Sequence, residues 1–367
     1  MSNTRPRFFQ APLAVCVALA MAGAGVLTGC VRSVLGSGSD KAAAPEIVCT
    51  LHSDARLLEM SDEGIELTSA LGLAAGRYAL PASAAPAQLV IMFHGHGNDS
   101  CGWRRLLQQA AAKGAIAVAM DYSGQRQTPA ENYGWFVREG AADSIAAARY
   151  FLQAYPSITQ VFAFGISMGG NAAGMAVASP DAVRADGSPL FDYWVDVEGV
   201  NSLVEEYFVA RGVAPVNAGG ALAQQEIEEE AGGSFEDVPD QYLDLSNVFR
   251  APDMTGLKGA VIVNGVDDGL VPTNQSPEMA LALNLVGVPA HLYTVLGNGG
   301  AESGTTGTAI VMDPVFGAAG QTYESPLAGH GWEGSDTQLV IKTGFEQLFA
   351  LMAGGTVTPG ETPVPGV

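Results

Sequence analysis

The segment Phe162-Ala163-Phe164-Gly165-Ile166-Ser167-Met168-Gly169-Gly170 constrains the fold of this 367-residue chain more than any other. An apolar run leads into it and an alanine-rich stretch follows, so it reads as a strand from Gln160 to Gly165, a tight turn at the serine, and a helix from Met168 to Ala178. Glycines on both sides suit a turn where a side chain would collide with the neighbouring strand or helix, and the serine between them sits in strained backbone. It would project above the end of a sheet, with the N-terminus of the following helix pointing at it.

The rest of the chain repeats that alternation. Short, mostly apolar strands are expected at Gln88 to Phe93, Ala115 to Met120, Tyr193 to Val197, Ala260 to Asn264 and Ala290 to Leu296. Helices are expected at Trp103 to Lys113, Glu139 to Ala154, Pro277 to Leu285 and Thr337 to Met352. Buried, non-alternating strands interleaved with helices predict an α/β class with a mostly parallel central sheet covered on both faces. Residues 199–253 are too long for one crossover, and their acidic cluster at Glu226, Glu228, Glu229 and Glu230 reads as a solvated helix face in a lid or cap insertion. Two ends stand outside the 60–352 domain: residues 30–59 read as a tether and N-terminal extension, and residues 353–367, rich in Pro and Thr, as a disordered tail.

A serine hydroxyl needs a base to take its proton, and the base needs a carboxylate to hold its tautomer. Of the five histidines, His52, His94, His96, His291 and His330, only the last two follow Ser167, and His291 falls in an expected strand. His330 precedes the last helix and is the candidate base. The acid candidate lies in Val263-Asn264-Gly265-Val266-Asp267-Asp268-Gly269-Leu270-Val271-Pro272, a strand followed by a turn with adjacent carboxylates. Gly165-x-Ser167-x-Gly169, together with Gly265, Asp268, Val271 and Pro272 spaced as G-x-x-D-x-x-V-P, resembles the α/β-hydrolase superfamily, in esterase, lipase or prolyl-oligopeptidase form. That resemblance implies an α/β-hydrolase fold with Asp268 as the triad acid; Asp196 or Glu198, after the preceding strand, is the alternative.

His94-Gly95-His96-Gly97 is similar to the family's H-G-x loop, which makes the amides of His96 and Met168 the expected oxyanion donors and His94 a brace. Trp103, Tyr122, Tyr133 and Trp135 follow strand ends and are candidate substrate contacts. The reading is a serine hydrolase that cleaves small or polymeric carboxylic esters through an acyl-enzyme, with no cofactor. A prolyl-oligopeptidase-like peptidase and a non-catalytic binding lipoprotein on the same scaffold are the alternatives.

The N-terminus bears on location. Arg5 and Arg7 precede an uncharged apolar run from Ala11 to Thr28, and Leu27-Thr28-Gly29-Cys30 places small residues before a cysteine. This resembles a bacterial lipoprotein signal over residues 1–29, which implies lipidation of Cys30 and an anchored envelope protein. Val31 in place of Asp implies the outer membrane, facing the periplasm or the surface. Cleavage would discard Cys16 and leave Cys49 and Cys101, an expected disulfide in an oxidising compartment. Among the Cys and His spacings none suits a structural metal site. With 17 Lys and Arg against 38 Asp and Glu, the net charge of −21 argues against nucleic acid as a partner.

Overall fold

The computed structural model describes residues 63–123, 134–297, 330–331 and 338–366, with four short strands, Val31–Arg32, Ile47–Val48, Ala309–Val311 and Thr322–Glu324, in two antiparallel pairs. The signal segment 1–29, Cys30, Cys49 and Tyr133 lie outside the described residues. Nine strands form one sheet: β1 (Glu63–Ser69), β2 (Gly72–Ala79), β3 (Gln88–Phe93), β4 (Ala115–Met120), β5 (Gln160–Ile166), β6 (Tyr193–Val197), β7 (Gly259–Gly265), β8 (Ala290–Val295) and β9 (Gly360–Val364). Their spatial order is β9-β8-β7-β6-β5-β3-β4-β2-β1. β1 and β2 form an antiparallel hairpin, β2 runs antiparallel to β4, and every other neighbouring pair is parallel.

The near-continuous apolar strands follow from burial on both faces. In β3, Leu89, Ile91 and Phe93 point into one core layer and Val90 and Met92 into the other, as the period-two pleat requires. The first layer is covered by α2 (Val137–Ala154), α3 (Met168–Ala178) and α8 (Gln275–Leu285), the second by α1 (Arg104–Ala112) and α9 (Leu339–Met352). Because β3 to β8 lie in one direction, the loops after them emerge along the same edge of the sheet, where ligands bind in open α/β folds.

The insertion between β6 and β7 is helical: α4 (Leu203–Val213), α5 (Ala218–Ala231), α6 (Pro239–Asp244) and α7 (Asn247–Arg250). Its ends are built from local chemistry. Ser202 accepts the Glu205 amide at 3.3 Å, Asn217 accepts the Gly220 amide at 3.1 Å, and Gly232, at φ 87°, ends α5 in the left-handed conformation. Among the described residues no helix is long and apolar enough to cross a membrane.

The tail corrects an expectation. Within 353–367, Gly360 to Val364 is not disordered but pairs in parallel with His291 to Val295 as β9. His291 bonds the Thr358 carbonyl at 2.8 Å and the Thr362 hydroxyl at 2.9 Å, and Thr294 donates to Glu361 at 3.0 Å. Pro363 is compatible with this because β9 is an edge strand, where one ladder donor can be missing. Five paired positions, at about 0.5–1.5 kcal/mol per net hydrogen bond, make the tail a stabilising element. Deleting residues 356–367 is expected to lower the unfolding free energy by about 2–4 kcal/mol in urea titrations; an unchanged midpoint would show that the pairing contributes nothing.

Candidate active site

Ser167 follows β5 directly, with φ 56° and ψ −131°, and is the residue from which α3 starts. Two close backbone approaches hold it there. A Cβ on Gly165 would overlap the Gly169 carbonyl, and a Cβ on Gly169 would overlap the Phe93 carbonyl at the end of β3. The Ser167 amide donates to the Val197 carbonyl at 3.1 Å, and its own carbonyl accepts from Gly170 at 2.9 Å and Val200 at 3.1 Å.

Strain is concentrated at this edge of the sheet. Among the described residues the non-glycine residues with positive φ are Tyr122, Ser167 and Glu198, at 48°, 56° and 48°, and each lies just beyond the C-terminal end of one strand, β4, β5 or β6. Such conformations cost about 1–3 kcal/mol each and persist where the surroundings over-determine them.

Asp268, in the turn after β7, receives the amides of Leu270 at 2.8 Å and Val271 at 3.0 Å on one oxygen, and its other oxygen bonds His330 Nδ1 at 2.9 Å. His330 is buried, and Gly331 beside it packs on Ile166, the residue before Ser167. The structure thus brings Asp268 and His330 together beside the Ser167 turn. No hydrogen bond joins Ser167 to His330: Nε2 of His330 is buried without a hydrogen-bond partner among the described residues. Catalytic contacts of this kind are often long before substrate binds.

This is an α/β-hydrolase fold. The serine follows β5, the acid follows β7 and the histidine precedes the last helix, in the chain order Ser, Asp, His.

The alternative acids from the β6 end have other partners. Asp196 accepts from Asn201 at 2.7 Å, and burial pushes its carboxyl up to about 7 against that bond. Glu198 is fully buried; one oxygen accepts the Gly265 amide at 3.0 Å, the other accepts the Gly331 amide and stands 3.6 Å from His330 Nδ1. It therefore ties together the loops that carry Asp268 and His330. Burial, then the charge of Asp268, push its carboxyl well above the usual range.

Glu206 is the acid that sequence reasoning missed. It lies on α4 of the insertion, buried, and one of its oxygens has no hydrogen-bond partner among the described residues. Burial first, then Asp268, raise its carboxyl to about 8. Nothing local marks it, because it is the fold of the whole insertion that brings it to Asp268 and His330. Around His330, burial disfavours the imidazolium, but the Asp268 charge and hydrogen bond, then Glu198 and Glu206, outweigh it and raise the ring to about 9.

The candidate oxyanion donors lie where the sheet edge predicts. Met168 is the first residue of α3, whose opening amides lack helical partners. His96 follows β3 in the loop that α3 packs against through Gly169. His94 is fully buried and is lowered to about 4 by burial; its ring stacks on Tyr122 with centroids 3.9 Å apart, and Tyr122 Oη donates to the His94 carbonyl at 3.1 Å. His94 therefore braces the loop.

Three expected substrate contacts are corrected. Trp103 is fully buried in the core layer beneath α1 and α9, edge-on to Phe164. Tyr122 is spent on His94. Trp135 is only 5% exposed and donates to Asn171 on α3 at 3.3 Å. Aromatic residues after strand ends here pack the loops instead of walling a pocket. A cavity of about 580 Å³, lined by Leu67, Arg138, Ile145, Arg149, Tyr150 and Met175 among others, lies between the β1–β2 hairpin and α2, and no triad candidate lines it.

No family model matches the chain, and no curated protein sequence does. Among solved structures it is similar to the acylaminoacyl peptidase of Pyrococcus horikoshii, at 18% identity and a TM-score of 0.49 over 64% of this chain and 36% of the peptidase. The chain thus spans about a third of that protein's length. It is also similar to a Pyrobaculum calidifontis esterase, at 19% identity and TM-score 0.48 over 64% of this chain and 75% of the esterase. A carboxyl esterase from Tuber melanosporum gives 19% identity and TM-score 0.49, over 67% and 79% of the two chains. These likenesses carry no residue role to this chain.

The buried acids make a prediction with a definite sign. Glu206 takes up its proton more readily folded, near 8, than at its ordinary 4.5, so folding loses stability as pH rises through that window. Glu206→Gln cannot ionise and is expected to gain stability relative to wild type between pH 5 and pH 9 in urea titrations; a constant difference across that range would contradict the assignment.

Proposed function

We propose that this chain is a serine hydrolase that cleaves carboxylic esters through an acyl-enzyme intermediate. The observation that carries the reading is the 2.9 Å bond between Asp268 and His330 Nδ1, next to a serine held at positive φ on the turn from β5 to α3. A carboxylate on Nδ1 leaves Nε2 as the basic nitrogen, and it is the atom left without a partner.

In this mechanism Ser167 Oγ attacks the ester carbonyl while His330 Nε2 takes its proton. The developing oxyanion is held by the amides of Met168 and His96, and the proton passes from His330 to the leaving alcohol. Water, activated by the same nitrogen, then releases the acid. Asp268 keeps its proton off and stabilises the imidazolium through its Nδ1 bond. Esters are the substrates proposed because their leaving group needs less help from the acid than the amine of a peptide does.

The same reading includes a lipid anchor at Cys30, removal of residues 1–29, an envelope location at the outer membrane, and a disulfide between Cys49 and Cys101. What supports the anchor is the apolar run ending at Gly29-Cys30. Cys101 is buried in the segment between β3 and α1, which also carries His96. Intact mass under non-reducing conditions, lower by two hydrogens, tests the pair, and membrane release of a Cys30→Ser variant tests the anchor.

A fluorophosphonate probe with intact-mass detection tests the chemistry. Wild type is expected to gain one adduct on Ser167, Ser167→Ala none, and His330→Ala to react at least about a thousandfold more slowly. A folded wild type that stays unlabelled would favour the binding-protein alternative. Because the base must be neutral and its environment raises it to about 9, kcat/KM is expected to fall as pH drops through the weakly alkaline range. A rising limb near the ordinary 6.5 of histidine would show that the surrounding carboxyls do not act on it.

A further inference from the structure

The glutamate run of α5 is not a uniform solvated face. Glu229 points outward and bonds Gln225 at 2.8 Å, and Glu228 receives Tyr207 Oη at 2.9 Å. Glu226 and Glu230, one turn apart on the same side, turn inward. Glu230 accepts the Arg138 amide at 3.0 Å, and burial raises it to about 7. Glu226 is 4% exposed and meets the loop of the candidate oxyanion donors.

Its two oxygens have separate tasks. One bonds His96 Nε2 at 2.5 Å, and the other accepts the Gly134 amide at 2.8 Å. The ring of Trp135, next to Gly134, stacks against His96 with centroids 5.8 Å apart. Trp135 Nε1 reaches Asn171 on α3, one turn beyond Ser167, and Asn171 donates to the Leu245 carbonyl at 2.8 Å, back in the insertion. A closed circuit therefore runs from α5 through His96 and Trp135 to the nucleophile helix and returns to the segment between α6 and α7.

We infer that Glu226 is a positioning residue which, from the insertion, clamps His96 and so holds the His96 amide at the oxyanion position. This rests on the serine-hydrolase reading above. It makes the insertion part of the catalytic frame: with α5 undocked, His96 loses both its acceptor and the Trp135 wall set by Gly134. The physical signature follows from what an oxyanion donor does. It binds charge that exists only in the transition state, so misplacing it lowers kcat and leaves ground-state binding nearly unchanged.

The test is a double-mutant cycle on the full chain with a chromogenic short-chain ester, using Glu226→Ala, Glu226→Gln, His96→Ala and the Glu226→Ala/His96→Ala pair. Glu226→Ala is expected to lower kcat by about ten- to hundredfold with KM within about twofold. Glu226→Gln, which keeps one acceptor, is expected to fall between, and the loss to vanish in the His96→Ala background. A loss that appears in KM, or one that is equally large with and without the His96 side chain, would overturn the inference. The Gln variant guards against misfolding, since it retains the volume and one hydrogen bond; if it and the Ala variant lose activity only in proportion to a lowered melting temperature, the role is structural and the inference fails. If wild type neither turns over the ester nor takes the probe, the hydrolase reading itself falls, an outcome distinct from an active wild type whose cycle is additive.

Discussion

The close approach of α3 to the ends of β3 and β5 is the constraint on which the site depends. It is possible only because positions 165 and 169 have no side chain, and it forces Ser167 into a conformation that costs about 1–3 kcal/mol. That cost is borne by the two core layers, which bury β3 to β7 on both faces and leave the turn no room to relax. The same contact sets the spacing of the two candidate oxyanion donors, since the helix N-terminus and the loop after β3 are pressed together at one point.

Around this rigid turn the chain gathers more carboxyls than the candidate triad needs. Asp268 receives two backbone amides on one oxygen and bonds His330 with the other, so both of its oxygens have partners. Glu198 and Glu206 cannot also ionise cheaply within reach of it, and burial with that like charge holds both towards the protonated form. Glu198 still serves as an acceptor for Gly265 and Gly331, so it joins the loop of Asp268 to the loop of His330 whatever its charge. Its place beyond β6, in strained backbone, is where the alternative acid of the triad was expected. Geometry separates the two roles: 2.9 Å from Asp268 against 3.6 Å from Glu198 to the same nitrogen.

What was legible in the sequence, and what was not, divides along the range of the interactions. The interior strands could be read because each is a short apolar run buried on both faces, and the triad candidates because strand, turn and glycine spacing are local. The β1–β2 hairpin is not legible, since Gly72-Leu73-Ala74-Ala75-Gly76 has little strand propensity and is held by pairing with β1, while Gly76 to Ala79 pair with β4. β9 is hidden by Pro363, which an edge strand tolerates and an interior one does not. Trp103, Tyr122 and Trp135 misled for another reason: a position just past a strand end is shared by residues that line a pocket and residues that pin a loop. Only the three-dimensional partners, Phe164, His94 and Asn171, tell which it is.

The acidic insertion shows the same limit from the opposite side. Four glutamates in five residues look alike in sequence, yet helical periodicity assigns them to different faces, and the body of the protein decides which face is buried. Burying Glu226 and Glu230 costs desolvation that a solvent-exposed helix would avoid, so their inward side needs compensating donors: His96 and Gly134 for one, the Arg138 amide for the other. Those donors belong to the loop after β3, the segment leading into α2 and the start of α2. An insertion that merely covered the sheet could have docked on apolar side chains alone. Docking through carboxyls directed at specific donors gives the interface a defined register, because a small shift would leave a buried carboxyl without a partner, and that is a far larger penalty than a slipped hydrophobic contact.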